Sequence, residues 1–197
     1  MNERKSRTSL DTQKLVYIAL LTAIVVILQS AGILTGMFSG LSINLSLVPI
    51  VVGAVLCGRK TATWLGLVSG IVVLFDPSTV AYLQFNAVAT VFLCLLKGAM
   101  SGFLAALVYD AFKKWGRYRA TLLAGVTAPI VNTGIFILGS VTIFYEYAKE
   151  QCQTDTFAQT LFAMLGIFLL VNVIIELVSS IALSPVVVRI IDTKNKE

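Results

Sequence analysis

The chemistry in this sequence is confined to a few polar side chains set in long apolar runs. Lys97 stands near the middle of AVATVFLCLLKGAMSGFLAALVYDAF, residues 87–112. A bilayer takes roughly 20 apolar residues to cross, so this run is long enough. A cation at mid-membrane costs on the order of 2.5–3.5 kcal/mol on insertion scales, so Lys97 is either paired or used. Asn172 and Glu176 are four apart on a later run and share a helical face that Ser179 and Ser180 continue. Asn132 and Thr133 fall near the middle of the run between them. Counted from the helix ends, Lys97, Asn132 and Glu176 lie at similar depth. Two readings follow. In one, a Lys97–Glu176 ion pair staples two helices. In the other, Asn132 and Asn172 hydrogen-bond a ligand in a cavity, and Lys97 attracts an anionic group such as a carboxylate.

The surroundings of these residues are small or polar. Thr90, Cys94, Lys97, Ser101 and Ala105 recur at three- and four-residue spacing and share one face. Gly98 and Gly102 beside them have the G-x-x-x-G spacing that admits a second helix closely. Asn44, Tyr82, Gln84 and Asn86 all map to one end of the runs, where they line a pocket mouth or sit as interfacial residues. Ala19 and Ala23 on the first run, and Ala62, Gly66 and Gly70 on the third, form small-residue ridges. Such ridges serve either packing within the chain or docking of another membrane subunit.

Several chemistries are excluded. The chain has no histidine, so the commonest general base and a frequent metal ligand are missing. Cys57, Cys94 and Cys152 have no metal-site or disulfide spacing. There is no carboxylate pair within the runs, no serine–base arrangement and no G-x-x-x-x-G-K-[ST] loop. An enzyme is not expected, nor a cofactor, nor ATP hydrolysis by this chain itself.

The elements that must position these residues are transmembrane helices. The chain is 57% hydrophobic and 13% charged, about half the charge of a soluble domain. Residues 1–14 form a basic tail, 15–191 a single membrane domain and 192–197 a polar tail. Apolar runs fall at about 15–34, 45–57, 61–75, 87–112, 120–144 and 159–191. The first is long for a signal peptide and is followed by more spans, so it reads as a transmembrane helix. The stretches 35–44, 76–86 and 145–158 read as loops. Asp76-Pro77-Ser78 ends the third run, Pro129 should kink the fifth, and Ser184-Pro185 interrupts the sixth. Six spans place both termini on one side. On that arrangement thirteen of the fifteen Lys and Arg face the cytoplasm, Lys97 is buried, and Lys149 alone lies outside. The net charge of +5 thus reflects topology and not nucleic-acid binding. The fold expected is an all-α integral membrane protein with six transmembrane helices and cytoplasmic termini.

This pattern resembles the substrate-binding S components of energy-coupling factor (ECF) transporters, which take up vitamins in prokaryotes. The resemblance covers roughly residues 14–190, through KLVYIALLTAIVVIL, INLSLVPIVVGAVLCG and LLKGAMSGFLAALVYD. It implies a multi-pass protein of the prokaryotic plasma membrane that binds a water-soluble vitamin from outside, with the stretches at 35–44 and 76–86 as lids. It implies further partners: a transmembrane coupling subunit, docked through Ala19 and Ala23 and, more loosely, through Ala62, Gly66 and Gly70, and two ATPase subunits that power release inside. An anionic vitamin such as pantothenate suits Lys97. A flat riboflavin- or folate-type ring suits the aromatic Tyr82, Phe85 and Phe136. The rival reading is a self-sufficient transporter driven by an ion gradient through Glu176, although no inverted repeat is evident. A structural subunit without ligand is a further alternative.

Overall fold

The computed structural model describes residues 2–39, 44–168 and 173–194, and among these there are helices but no strand. The helices are α1 (Asn2–Ser39), α2 (Leu47–Cys57), α3 (Arg59–Val73), α4 (Pro77–Phe85), α5 (Ala87–Phe112), α6 (Arg117–Thr142), α7 (Tyr145–Cys152), α8 (Phe157–Phe168) and α9 (Ile174–Lys194). Three segments are long and apolar enough to cross a membrane: Thr12–Gly36, Ala87–Trp115 and Arg117–Thr142. The pair α3 and α4 passes the same test jointly but is bent by 82° at its junction. The apolar parts of α2, α8 and α9 are shorter.

The structure corrects three expectations. The stretch 76–86 is largely helical, because the Asp-Pro-Ser signal that stops α3 also starts α4. Asp76 Oδ1 accepts a hydrogen bond from the Ser78 amide at 2.9 Å, and Pro77 opens the helix, where its missing N–H is harmless. The stretch 145–158 contains α7, which ends at Gln153 in the left-handed conformation. The interruption expected at Ser184-Pro185 does not occur: Pro185 lies inside α9 without ending it. Pro129 likewise lies inside α6.

Packing follows from residue size. α2 is apolar on all sides and correspondingly buried from Leu47 to Val55. Gly58, at φ 88°, then turns the chain directly into α3. The small ridge of α3 meets the glycines of α5: a Cβ on Gly66 would fall on the carbonyl of Gly98, and one on Gly102 on the carbonyl of Ala62. A Cβ on Gly70 would meet the carbonyl of Cys94. The two backbones therefore touch, and the docking role expected for Ala62, Gly66 and Gly70 gives way to packing within the chain. Ala19 and Ala23, in contrast, lie on an exposed face of α1.

The bundle has a filled end and an open end. At the filled end, α2 packs with Leu21 and Val25 of α1, Ala105 and Tyr109 of α5, and Ala120 and Ala124 of α6. Asp110 there binds Arg59 at 2.7 Å and Lys113 at 2.9 Å, among the other basic residues of the turns. The opposite halves of α1, α3, α5 and α6 enclose a cavity.

Gly66→Ala should force α3 and α5 apart and lower the melting temperature in detergent, at a cost of about 1–3 kcal/mol. Gly134→Ala, where an added Cβ has no atom within 4 Å, should leave it unchanged. Indistinguishable melting curves for the two variants would show that the close contact is not needed.

Candidate functional site

The cavity has a volume of about 550 Å³, within the ~300–1,000 Å³ usual for small-molecule pockets. Its walls come from α1, α3 to α9 and the segment before α2, so nearly the whole open end converges on it.

The wall from α5 is the polar face read from the sequence: Thr90, Cys94 and Lys97 line the cavity. One turn further on, Ser101 Oγ donates to the Ala128 carbonyl of α6 at 2.8 Å and fixes the two helices together. α6 contributes Asn132, Thr133 and Phe136. Lys97 Nζ sits 4.8 Å from the centroid of the Phe136 ring, inside the ~6 Å range for attraction between a cation and a ring face. α9 contributes Glu176, 5% exposed, whose Oε2 has no hydrogen-bond partner among the described residues. Lys97 and Glu176 do not form an ion pair with each other. The stapling role for this pair is thus absent, and both charges face the same space. A buried polar atom left unpaired costs about 1–3 kcal/mol, and more when charged, so Glu176 calls for a partner.

An aromatic wall closes another side. Tyr82 of α4 meets Phe136, Phe144 and Tyr147 edge to face, at centroid distances of 5.7, 5.2 and 4.7 Å. All four rings line the cavity. Opposite the filled end, a polar knot joins α1, α3 and the start of α2. Gln29 Oε1 lies 2.7 Å from Ser46 Oγ and 2.9 Å from Ser69 Oγ, and the two hydroxyls are 3.0 Å apart. Asn44 Oδ1 is 2.6 Å from the same Ser46 oxygen. Ser46 has one proton, so it donates to one of these neighbours at a time. Gln29 and Asn44 both border the cavity.

Of the residues expected at the site, Lys97, Asn132, Glu176, Tyr82 and Asn44 line one cavity. Gln84 and Asn86 do not. Because 77–85 is a helix, Gln84 points away from Tyr82, two residues earlier at 100° per residue, and is exposed. Asn86 caps α5, its Oδ1 accepting from the Ala89 amide at 3.1 Å. Asn172 lies outside the described residues. Phe85 is 54% exposed and packs behind the wall, against Phe144 and Tyr147. The sequence reading missed Gln29, although it is the one amide in its apolar run, which is itself the signal. It missed Tyr147 and Gln151 because their segment read as a loop. No cluster of three or more His, Cys, Asp or Glu able to hold a metal occurs among the described residues.

A family model described as ECF transporter, substrate-specific component, matches residues 13–188. No curated protein and no solved structure gives a significant match.

Proposed function

The chain belongs to the ECF transporter substrate-specific component family, and from that premise we propose that it captures a water-soluble vitamin or related compound outside a prokaryotic cell and delivers it inward. The observation that carries this reading is the cavity, which gathers Lys97, Asn132, Glu176, Tyr82 and Asn44 from five separate segments. Sequence-distant polar groups converging on one apolar-walled pocket are the usual arrangement of a ligand site. Asn172 belongs to the same proposal. The rim formed by α4 and α7 closes over the bound compound.

Six spans with cytoplasmic termini accommodate the helices: α1, α2, α3 with α4, α5, α6, and α8 with α9. The filled, basic end then faces the cytoplasm and the cavity faces outward. A protease site added at either terminus should be cut in inside-out vesicles and protected in right-side-out ones. The opposite pattern would invert the topology and with it the side of capture.

Energy comes from partners: a transmembrane coupling subunit and a pair of ATPase subunits. α1 supplies the docking face, since Ala19 and Ala23 are exposed together with Leu20 (55%) and Ile27 (65%). Ala23→Trp should leave vitamin binding intact and abolish ATP-dependent uptake in reconstituted liposomes. Loss of binding as well would place that face inside the protein's own fold.

The direct test of the reading is mass spectrometry of small molecules released from the detergent-purified chain expressed alone. A single vitamin-like species in stoichiometric amount is the expected result. An empty protein that also ignores a vitamin panel in thermal-shift assays would overturn it. Uptake that persists without any ATPase partner would favour the gradient-driven alternative.

A further inference from the structure

The filled end of the bundle carries a binding chemistry of its own. The spans Ala87–Trp115 and Arg117–Thr142 both stop at the connection between α5 and α6. That places the connection at the depth of the lipid headgroups. It reads DAFKKWGRYR from Asp110 to Arg119 and is exposed from Lys113 to Arg119. Trp115 is 69% exposed and Tyr118 62%. Trp115 is still held in place, its ring edge to face with that of Phe112 at a centroid distance of 4.9 Å. Rings with an apolar body and a polar edge favour this depth.

The tertiary structure joins a second basic turn to this one. Arg59, 51 residues before Asp110 in the chain, donates to it through Nε at 2.7 Å, and Lys113 Nζ donates to the same carboxylate at 2.9 Å. One acid thus serves two cations, and both remain half-exposed, at 50% and 53%. Lys60, Lys114 and Arg119 are exposed as well. Across residues 58–60 and 110–119, Arg59, Lys60, Lys113, Lys114, Arg117 and Arg119 stand against the single acid Asp110. Sorting of positive residues across a membrane acts through the number in each connection and asks nothing of how two connections are arranged. The gathering of two basic turns by one carboxylate is a feature of the fold.

We propose that this face binds the headgroups of anionic phospholipids. A phosphodiester brings a negative charge and oxygen acceptors, which meet the ammonium and guanidinium donors of the two turns. Trp115 and Tyr118 sit just below the phosphates and hold the cations at their height. An acidic protein surface would meet the same charges, but two exposed rings at the level where two spans end favour lipid. The inference requires a chain embedded in a bilayer. It does not depend on what the cavity binds or on the side to which the cavity opens.

The experiment reconstitutes the full chain into nanodiscs of phosphatidylcholine alone and of an equal mixture with phosphatidylglycerol, and follows thermal unfolding in each. The wild type should melt about 2–4 °C higher in the mixture, the shift of one modest stabilising interaction in a chain of this size. The difference should shrink as salt is raised, because exposed charges are screened. The triple variant Lys60→Gln, Lys114→Gln, Arg119→Gln should melt alike in both lipids. It spares Arg59 and Lys113, so the bridge through Asp110 remains. Lys149→Gln, at the open end, should keep the wild-type difference. Equal melting of the wild type in the two lipids would overturn the proposal, as would a difference that persists unchanged in the triple variant. Equal melting joined to a loss of ATP-dependent uptake in the triple variant would assign the patch to an acidic partner protein instead. The lipid comparison is made on the wild type, so the proposal stays testable even if the triple variant does not fold.

Discussion

The contact between α3 and α5 is the constraint on which the rest of the structure depends. In lipid, apolar side chains gain little by leaving one apolar surface for another, so helices associate through close packing and hydrogen bonds. Gly66, Gly70, Gly98 and Gly102 let two backbones touch, which maximises that packing. With α3 fixed on one side, Ser101 ties the neighbouring face of α5 to α6 through the Ala128 carbonyl. One turn earlier on the same face, Lys97 meets Phe136, again on α6. The position of the membrane-embedded cation is thus a consequence of where the glycines are.

The division of the bundle into a filled end and an open end follows from side-chain size and polarity along the same helices. On α5 and α6, alanine and tyrosine fill the space around α2, and the opposite halves carry threonine, asparagine, lysine and aromatic residues. Alanine against an apolar helix packs to high density. Polar side chains that diverge around a common space do not, and they leave room for something that satisfies them. Rigid packing at one end thereby holds the cavity-lining groups at the other without occupying their positions.

Lys97 is tolerated because its environment is not plain hydrocarbon. A ring face lies at cation–π distance, Asn132 and Thr133 border the same cavity, and Glu176 shares that space without pairing to it. An ion pair would have neutralised both groups and closed the site. Without it, both side chains border the open cavity.

Much of this was legible in the sequence. The length and polarity of the runs required helices, because lipid leaves backbone groups no other way to be paired. The ends of α5 could be read directly from its composition, and the three-to-four spacing placed Thr90, Cys94 and Lys97 on one face. Lys97, Asn132 and Glu176 stood out because polar residues in apolar runs are costly and few. What the sequence could not supply was the pairing of faces. The ridges on α3 and α5 were visible separately, yet only the tertiary structure made them partners of each other and left the α1 alanines exposed. Helix periodicity, a local property, identifies which residues share a face but not what that face meets. The same limit applied to Gln84, Asn86, Tyr147 and Gln151: once 77–85 and 145–152 became helices, side-chain direction was set by helical rotation and docking, not by proximity in the chain. Likewise, it takes the tertiary structure to bring Asp76 and Glu176, a hundred residues apart, to the same cavity as Lys97.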